Sequence, residues 1–189
     1  MLGSESRRPA STDRMPSYAL SVWRSSPVPE ALTTKLAEGG AVVFSSAAAL
    51  TLGSFSVPVY EIYKAGAEPH WVPGLGLVER VTGLPVVVIP HYDNAEGGTH
   101  DTRFCYLGER RLAVMEGMLP EDAWVLGIDE HTVLVADLDA KTVSVSGRGG
   151  LTVRRRGKSQ VFPSGTRLAL DQLLAAARGE AEAGGGAAA

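Results

Sequence analysis

The sequence predicts an α/β layered fold, and three stretches predict it. Residues 84–90, LPVVVIP, are a continuous apolar run bounded by turn signals, the pattern of a strand buried on both faces. Residues 41–53, AVVFSSAAALTLG, pass from small and β-branched apolar residues through two serines into an alanine-rich segment. That is how a buried strand running into a sharp turn and a helix reads. From Ala123 onward the apolar period moves toward two, which predicts short antiparallel strands. Wide-faced strands need helices over both faces, so the combination is a layered sheet with helices followed by a meander.

In chain order, residues 1–14 are polar and aperiodic and read as a disordered lead-in. Residues 19–24 form a short apolar element, broken by Pro27 and Pro29. A helix over 30–38 follows, with Pro29 suited to its first turn and Gly39 to its end. The strand 41–45 then leads into the serine turn. Residues 57–63, VPVYEIY, alternate like a strand that carries Glu61, and 65–76 form a glycine- and proline-rich loop. After the strand 84–90 comes the polar loop HYDNAEGGTHDTR, then a helix over 108–118. Strands are expected at 124–128, 132–136, 142–146 and 151–155, and an amphipathic helix over 167–177 closes the domain. The domain thus spans 15–178, and 179–189 is a low-complexity tail expected to be disordered.

Composition narrows the function. With 189 residues, 44% apolar and 21% charged, the chain has room for one domain with a proper core. A net charge of −3 gives no electrostatic reason for a nucleic-acid or anionic-membrane partner, and the run Arg154–Arg155–Arg156 reads as a solvated strand end. The single cysteine, Cys105, forms no internal disulfide and suits a reducing compartment, so a cytoplasmic location is expected. No apolar run reaches bilayer length.

Ser46 is the candidate nucleophile, because a serine at a strand-to-helix elbow is flanked by small residues where the turn is crowded. A serine hydroxyl needs a base to take its proton and a carboxylate to orient that base. Of the four histidines, His91 directly follows the buried strand, where α/β sites collect. Glu61 is the carboxylate chosen to orient it. His91, Asp93, His100 and Asp101 offer an alternative, a divalent-cation site in the same loop, without any familiar tight spacing. No cofactor is called for.

Five segments together carry a resemblance: FSSAAALTLG, VYEIYKAG, GLGLV, IPHYDNAEGGTHDTRFCYLGERRL and LGIDEHT, in that order. They resemble the dipeptidase E and cyanophycinase family of serine peptidases over residues 16–157. The resemblance implies a type 1 glutamine amidotransferase-like, flavodoxin-like fold and hydrolysis of short or aspartyl-containing peptides. It implies Ser46 as nucleophile, His91 as general base and Glu61 as the acidic third member. The backbone N–H of Ala47 would be an oxyanion donor, and Arg103, with Arg110 and Arg111, would meet a substrate carboxylate. Two departures stand out. Phe44 and Ala48 replace glycines of the family elbow, and only about forty residues precede it where relatives have further strands and a second oxyanion turn. The expectation is therefore a domain lacking its N-terminal strands. A homo-oligomer or partner chain would complete the sheet, and a non-catalytic binding or assembly module is the alternative to a peptidase.

Overall fold

Prolines set the first two helices. In a computed structural model of the chain, which describes residues 16–180, Pro16 opens α1 (Pro16–Arg24) and Pro29 lies in the first turn of α2 (Val28–Ala37). A first turn has no intrahelical acceptor for an N–H, so proline loses nothing there. Residues 41–45 lead to a short 3-10 helix, Ser46–Thr51. Then come β1 (Phe55–Ser56), α3 (Val59–Tyr63), β2 (Val72–Pro73), α4 (Leu77–Thr82) and β3 (Val86–Pro90). After α5 (Gly108–Glu116) the chain makes β4 (Trp124–Ile128), β5 (Thr132–Asp137), β6 (Thr142–Gly147) and β7 (Gly150–Arg155). It ends with β8 (Lys158–Pro163), β9 (Arg167–Ala169) and α6 (Leu170–Arg178).

The main sheet is mixed, with order β2-β1-β3-β4-β7-β8. β3 runs parallel to β1 and β4, in register from Val86↔Trp124 to Pro90↔Ile128, whereas β7 and β8 are antiparallel. Strand alternation sends Val87, Ile89 and Val125 to one face, against Ile62, Leu112 and Met115 of α3 and α5. Val86, Val88, Trp124 and Leu126 face the other way, toward Leu173, Leu174 and Ala177 of α6 and Val143 and Val145 of the small sheet β5-β6-β9. Every residue of β3 is buried, which is why its sequence has no polar phase. A Cβ at Gly127 would run into the Tyr92 ring, so glycine lets the segment after β3 lie across β4.

Several expectations are corrected. Residues 57–63 are not a strand: Pro58 precedes α3, whose buried residues Val59 and Ile62 are three apart. Alternation would put Val59 and Ile62 on opposite faces, whereas both are buried at helical spacing; the largely apolar segment can be read with either period, and tertiary packing selects the helix. Residues 41–45 pair with no strand among the described residues. The loop over 65–76 contains β2, α4 follows it, and β8 and β9 occupy 158–169 ahead of the closing helix. Arg154 is buried rather than solvated, at the heart of an ion network joining β7 to α5. The lead-in expected at 1–14 and the tail from 181 lie outside the described residues. Among the described residues no helix is long and apolar enough to cross a membrane.

Candidate active site

The elbow is present in its backbone. Ser45 is extended (φ −134°, ψ 154°), and Ser46 takes φ 48°, a left-handed conformation that costs energy for a residue with a side chain. The Ala48 N–H donates to the Ser45 carbonyl at 3.0 Å, closing the turn. The Ser46 hydroxyl consequently stands exposed at the start of the 3-10 helix, 3.0 Å from His91 Nε2.

His91 is the first residue beyond β3 and is also left-handed, at φ 51°. Two N–H groups hold its carbonyl, Asn94 at 3.2 Å and Cys105 at 3.1 Å. Cys105 belongs to an unusual run of three left-handed residues, Phe104, Cys105 and Tyr106, at φ 60°, 53° and 68°. That turn also sends the Phe104 N–H to the Tyr92 carbonyl at 2.9 Å. Strain concentrated in this way is a feature of sites whose surroundings over-determine the backbone.

The carboxylate on the far side of His91 is Glu130, with Oε1 2.9 Å from Nδ1. Glu130 lies in the turn after β4, the parallel neighbour of β3, so base and carboxylate project from the carboxyl ends of adjacent parallel strands. A carboxylate at Nδ1 keeps the ring proton there and leaves Nε2 as the acceptor for the serine hydroxyl.

Glu61 does not take that place. Its Oε1 accepts the Ser17 hydroxyl of α1, and its Oε2 is buried without a partner among the described residues. The reason is the helix at 59–63, which gives Glu61 to α1 and turns Val59 and Tyr60 toward the site. Glu130 was detectable by the reasoning that selects His91: a polar residue just past an apolar strand, here within GIDEHT. Arg103 also goes elsewhere, pairing with Asp101 at 2.9 Å through both Nε and Nη2. That pairing, with the Glu109 N–H, holds the Asp101 carboxyl far below the usual carboxylate range. Arg111 donates to the Leu107 carbonyl.

A cleft of about 340 Å³ opens over Ser46 and His91, within the size range of small-ligand sites. Ala47, Leu50, Tyr60, Tyr63, Lys64 and Tyr106 form much of its wall, with Cys105 at its base. Burial, aided by the Glu130 charge, pushes the Cys105 thiol up to about 12, so it is a neutral wall and not a second nucleophile. The Ala47 N–H has no acceptor among the described residues and borders the cleft. A larger, more open depression beside α2, near Lys35 and Gly40, contains no nucleophile and base in contact. The alternative cation ligands do not assemble: among the described residues no three His, Cys, Asp or Glu side chains gather as a metal group. Trp71 is tucked onto the core, its indole N–H on the Met115 carbonyl at 2.8 Å.

The fold has a solved counterpart. The crystal structure of a peptidase from an acI-B1 actinobacterium superposes with a TM-score of 0.60 and 21% identity over 82% of this chain. The match spans 55% of that peptidase, so the chain corresponds to about half its length. Neither family models nor curated protein sequences match the chain. The likeness is one of fold: an α/β peptidase-like arrangement of a mixed sheet and helices.

Proposed function

We propose that this α/β peptidase-like domain is a serine-type hydrolase of short peptides, aspartyl-containing ones among them, working in the cytoplasm. The observation that carries the reading is the continuous chain from Ser46 Oγ to His91 Nε2 at 3.0 Å and from His91 Nδ1 to Glu130 at 2.9 Å. Ser46 attacks the scissile carbonyl carbon while His91 Nε2 takes the hydroxyl proton, and Glu130 stabilises the imidazolium that forms. The Ala47 N–H meets the developing oxyanion. His91 then protonates the leaving amine, leaving Ser46 acylated. A water molecule gives a proton to His91 and attacks the ester, and the serine regains its proton as the acid product departs. Lys64, on the cleft wall, takes the substrate-carboxylate role that Arg103 cannot fill. The resemblance of the elbow, HYDN and GIDEHT segments to the dipeptidase E and cyanophycinase family, with its type 1 glutamine amidotransferase-like fold, supports the same reading.

A fluorophosphonate probe tests it. Labelling of the folded protein that disappears in Ser46→Ala is the expected result, and a folded wild-type protein that never labels refutes the assignment.

A second reading is favoured by the 41–45 segment, which no described strand pairs and where Val43 is 90% exposed. In it the chain is an assembly module whose sheet is completed by a strand of another copy or partner. Sedimentation velocity decides: a self-associating wild type that becomes monomeric in Val43→Pro, which removes a backbone donor, supports it. A wild type that is monomeric at all concentrations removes the second-copy form of this reading.

A further inference from the structure

Glu130 holds His91 only if something holds Glu130, because it sits in a turn and its side chain is 31% exposed. Two residues that follow His91 in sequence reach it. The Glu130 N–H donates to Asp93 Oδ1 at 2.7 Å. The Asn94 amide donates from Nδ2 to Glu130 Oε1 at 3.4 Å, the same oxygen that meets His91 Nδ1.

Asn94 is itself fixed. It is only 2% exposed, its Oδ1 accepts the Glu96 N–H at 3.2 Å, and its carbonyl accepts the Thr102 hydroxyl at 3.4 Å. Its own N–H returns to the His91 carbonyl. Base, amide and carboxylate thus form a closed loop. Rotation of the Glu130 carboxylate breaks two hydrogen bonds, and displacement of its backbone breaks a third. Asn94 does more than cap the turn, because its amide reaches Oε1, while Asp93 pins the Glu130 backbone from which that carboxylate projects.

We propose that Asp93 and Asn94 are positioning residues for Glu130, so that the HYDN segment supplies both the base and the clamp on its orienting carboxylate. This rests on reading Ser46, His91 and Glu130 as one catalytic unit. Both residues act through Glu130 and neither touches the reacting atoms.

The experiment follows the imidazole directly. The His91 Nδ1–H proton is observed by NMR, and fluorophosphonate labelling rates are measured in parallel. Asn94→Asp keeps the shape but replaces the donor facing Oε1 with a like charge. Its Nδ1–H resonance is expected to be lost to solvent exchange and its labelling to slow about ten- to a hundredfold, the worth of a hydrogen bond to a charged group. Asp93 is exposed, so its variants test the proposal without disturbing the core. Asp93→Ala shows the same two losses, and Asp93→Asn, which keeps a carbonyl acceptor, restores both. Folded Asn94→Asp and Asp93→Ala proteins that retain a wild-type resonance and rate overturn the proposal. A wild type whose resonance is present, and is lost in these variants, while nothing labels supports the clamp and refutes the hydrolase reading, so the two failures are distinct.

Discussion

Glu130→Gln keeps the side chain's volume but offers His91 Nδ1 an amide where it needs an acceptor with negative charge. On the proposed hydrolase reading the ring then loses its preferred tautomer, and the labelling or hydrolysis rate should fall by about 10³–10⁴, as for the equivalent change in an established serine triad. Glu61→Gln should leave that rate unchanged, because Glu61 serves Ser17 and α1. Measuring both variants side by side separates the two carboxylates. Cys105 yields a different prediction. With its ionisation pushed up to about 12, the thiol stays protonated at pH 8, so a thiolate-selective reagent should modify it only in denaturant. Reaction with the native protein at pH 8 contradicts this.

At the scale of elements, α5 is fastened to β7 by charge. Arg154 meets Glu109 at 2.5 Å and Glu116 at 2.8 Å, with the Arg154 and Glu116 side chains 5% and 6% exposed. Burial disfavours the charged guanidinium, but the hydrogen bonds it donates to both glutamates outweigh that and raise its pKa further. Arg154→Ala leaves the buried Glu116 carboxylate without a charged partner, holding only the Gly157 N–H at 3.3 Å, so urea unfolding should show a loss of about 3–5 kcal/mol. Glu109 has the opposite shift: the Arg154 hydrogen bond lowers its folded-state pKa below the unfolded value. Its contribution is therefore complete above the unfolded pKa and is lost as pH falls through the folded one. Acid titration of stability should show wild type losing more than Glu109→Gln below the ordinary carboxylate range. Its half-exposed side chain keeps that difference small.

For the whole molecule, the sheet brings the candidate site residues together at the carboxyl ends of its two central strands. β3 and β4 are parallel neighbours, so the residues after them, His91 and Glu130, emerge side by side although 39 positions apart. The short antiparallel strands β7 and β8 extend the sheet on the side away from Ser46, while β5, β6 and β9 cover one face with α6. This division predicts that substitutions on β8, such as exposed Val161→Thr, shift neither labelling rate nor stability beyond about 0.5 kcal/mol. A larger effect on labelling would mean that β8 communicates with the cleft.

The sequence by itself determined the layered α/β class, the buried strand within 84–90 and the short strands from 124 onward, and it nominated Ser46 and His91, which the fold brings to 3.0 Å. These follow from local patterns: an apolar run without a polar phase, a change of period, and polar residues at the end of a strand. Tertiary structure decided which carboxylate serves His91. VPVYEIY can be read with either period, and only its packing against β3 makes it a helix that hands Glu61 to Ser17. Arg103, expected on a substrate carboxylate, and Arg154, expected in solvent, were both placed differently, since a basic residue's role depends on which acid lies beside it: Asp101 in the folded loop for one, Glu109 and Glu116 of α5 for the other. Glu130 reaches His91 because two distant strands pair in parallel, and pairing is a property of the sheet rather than of either segment.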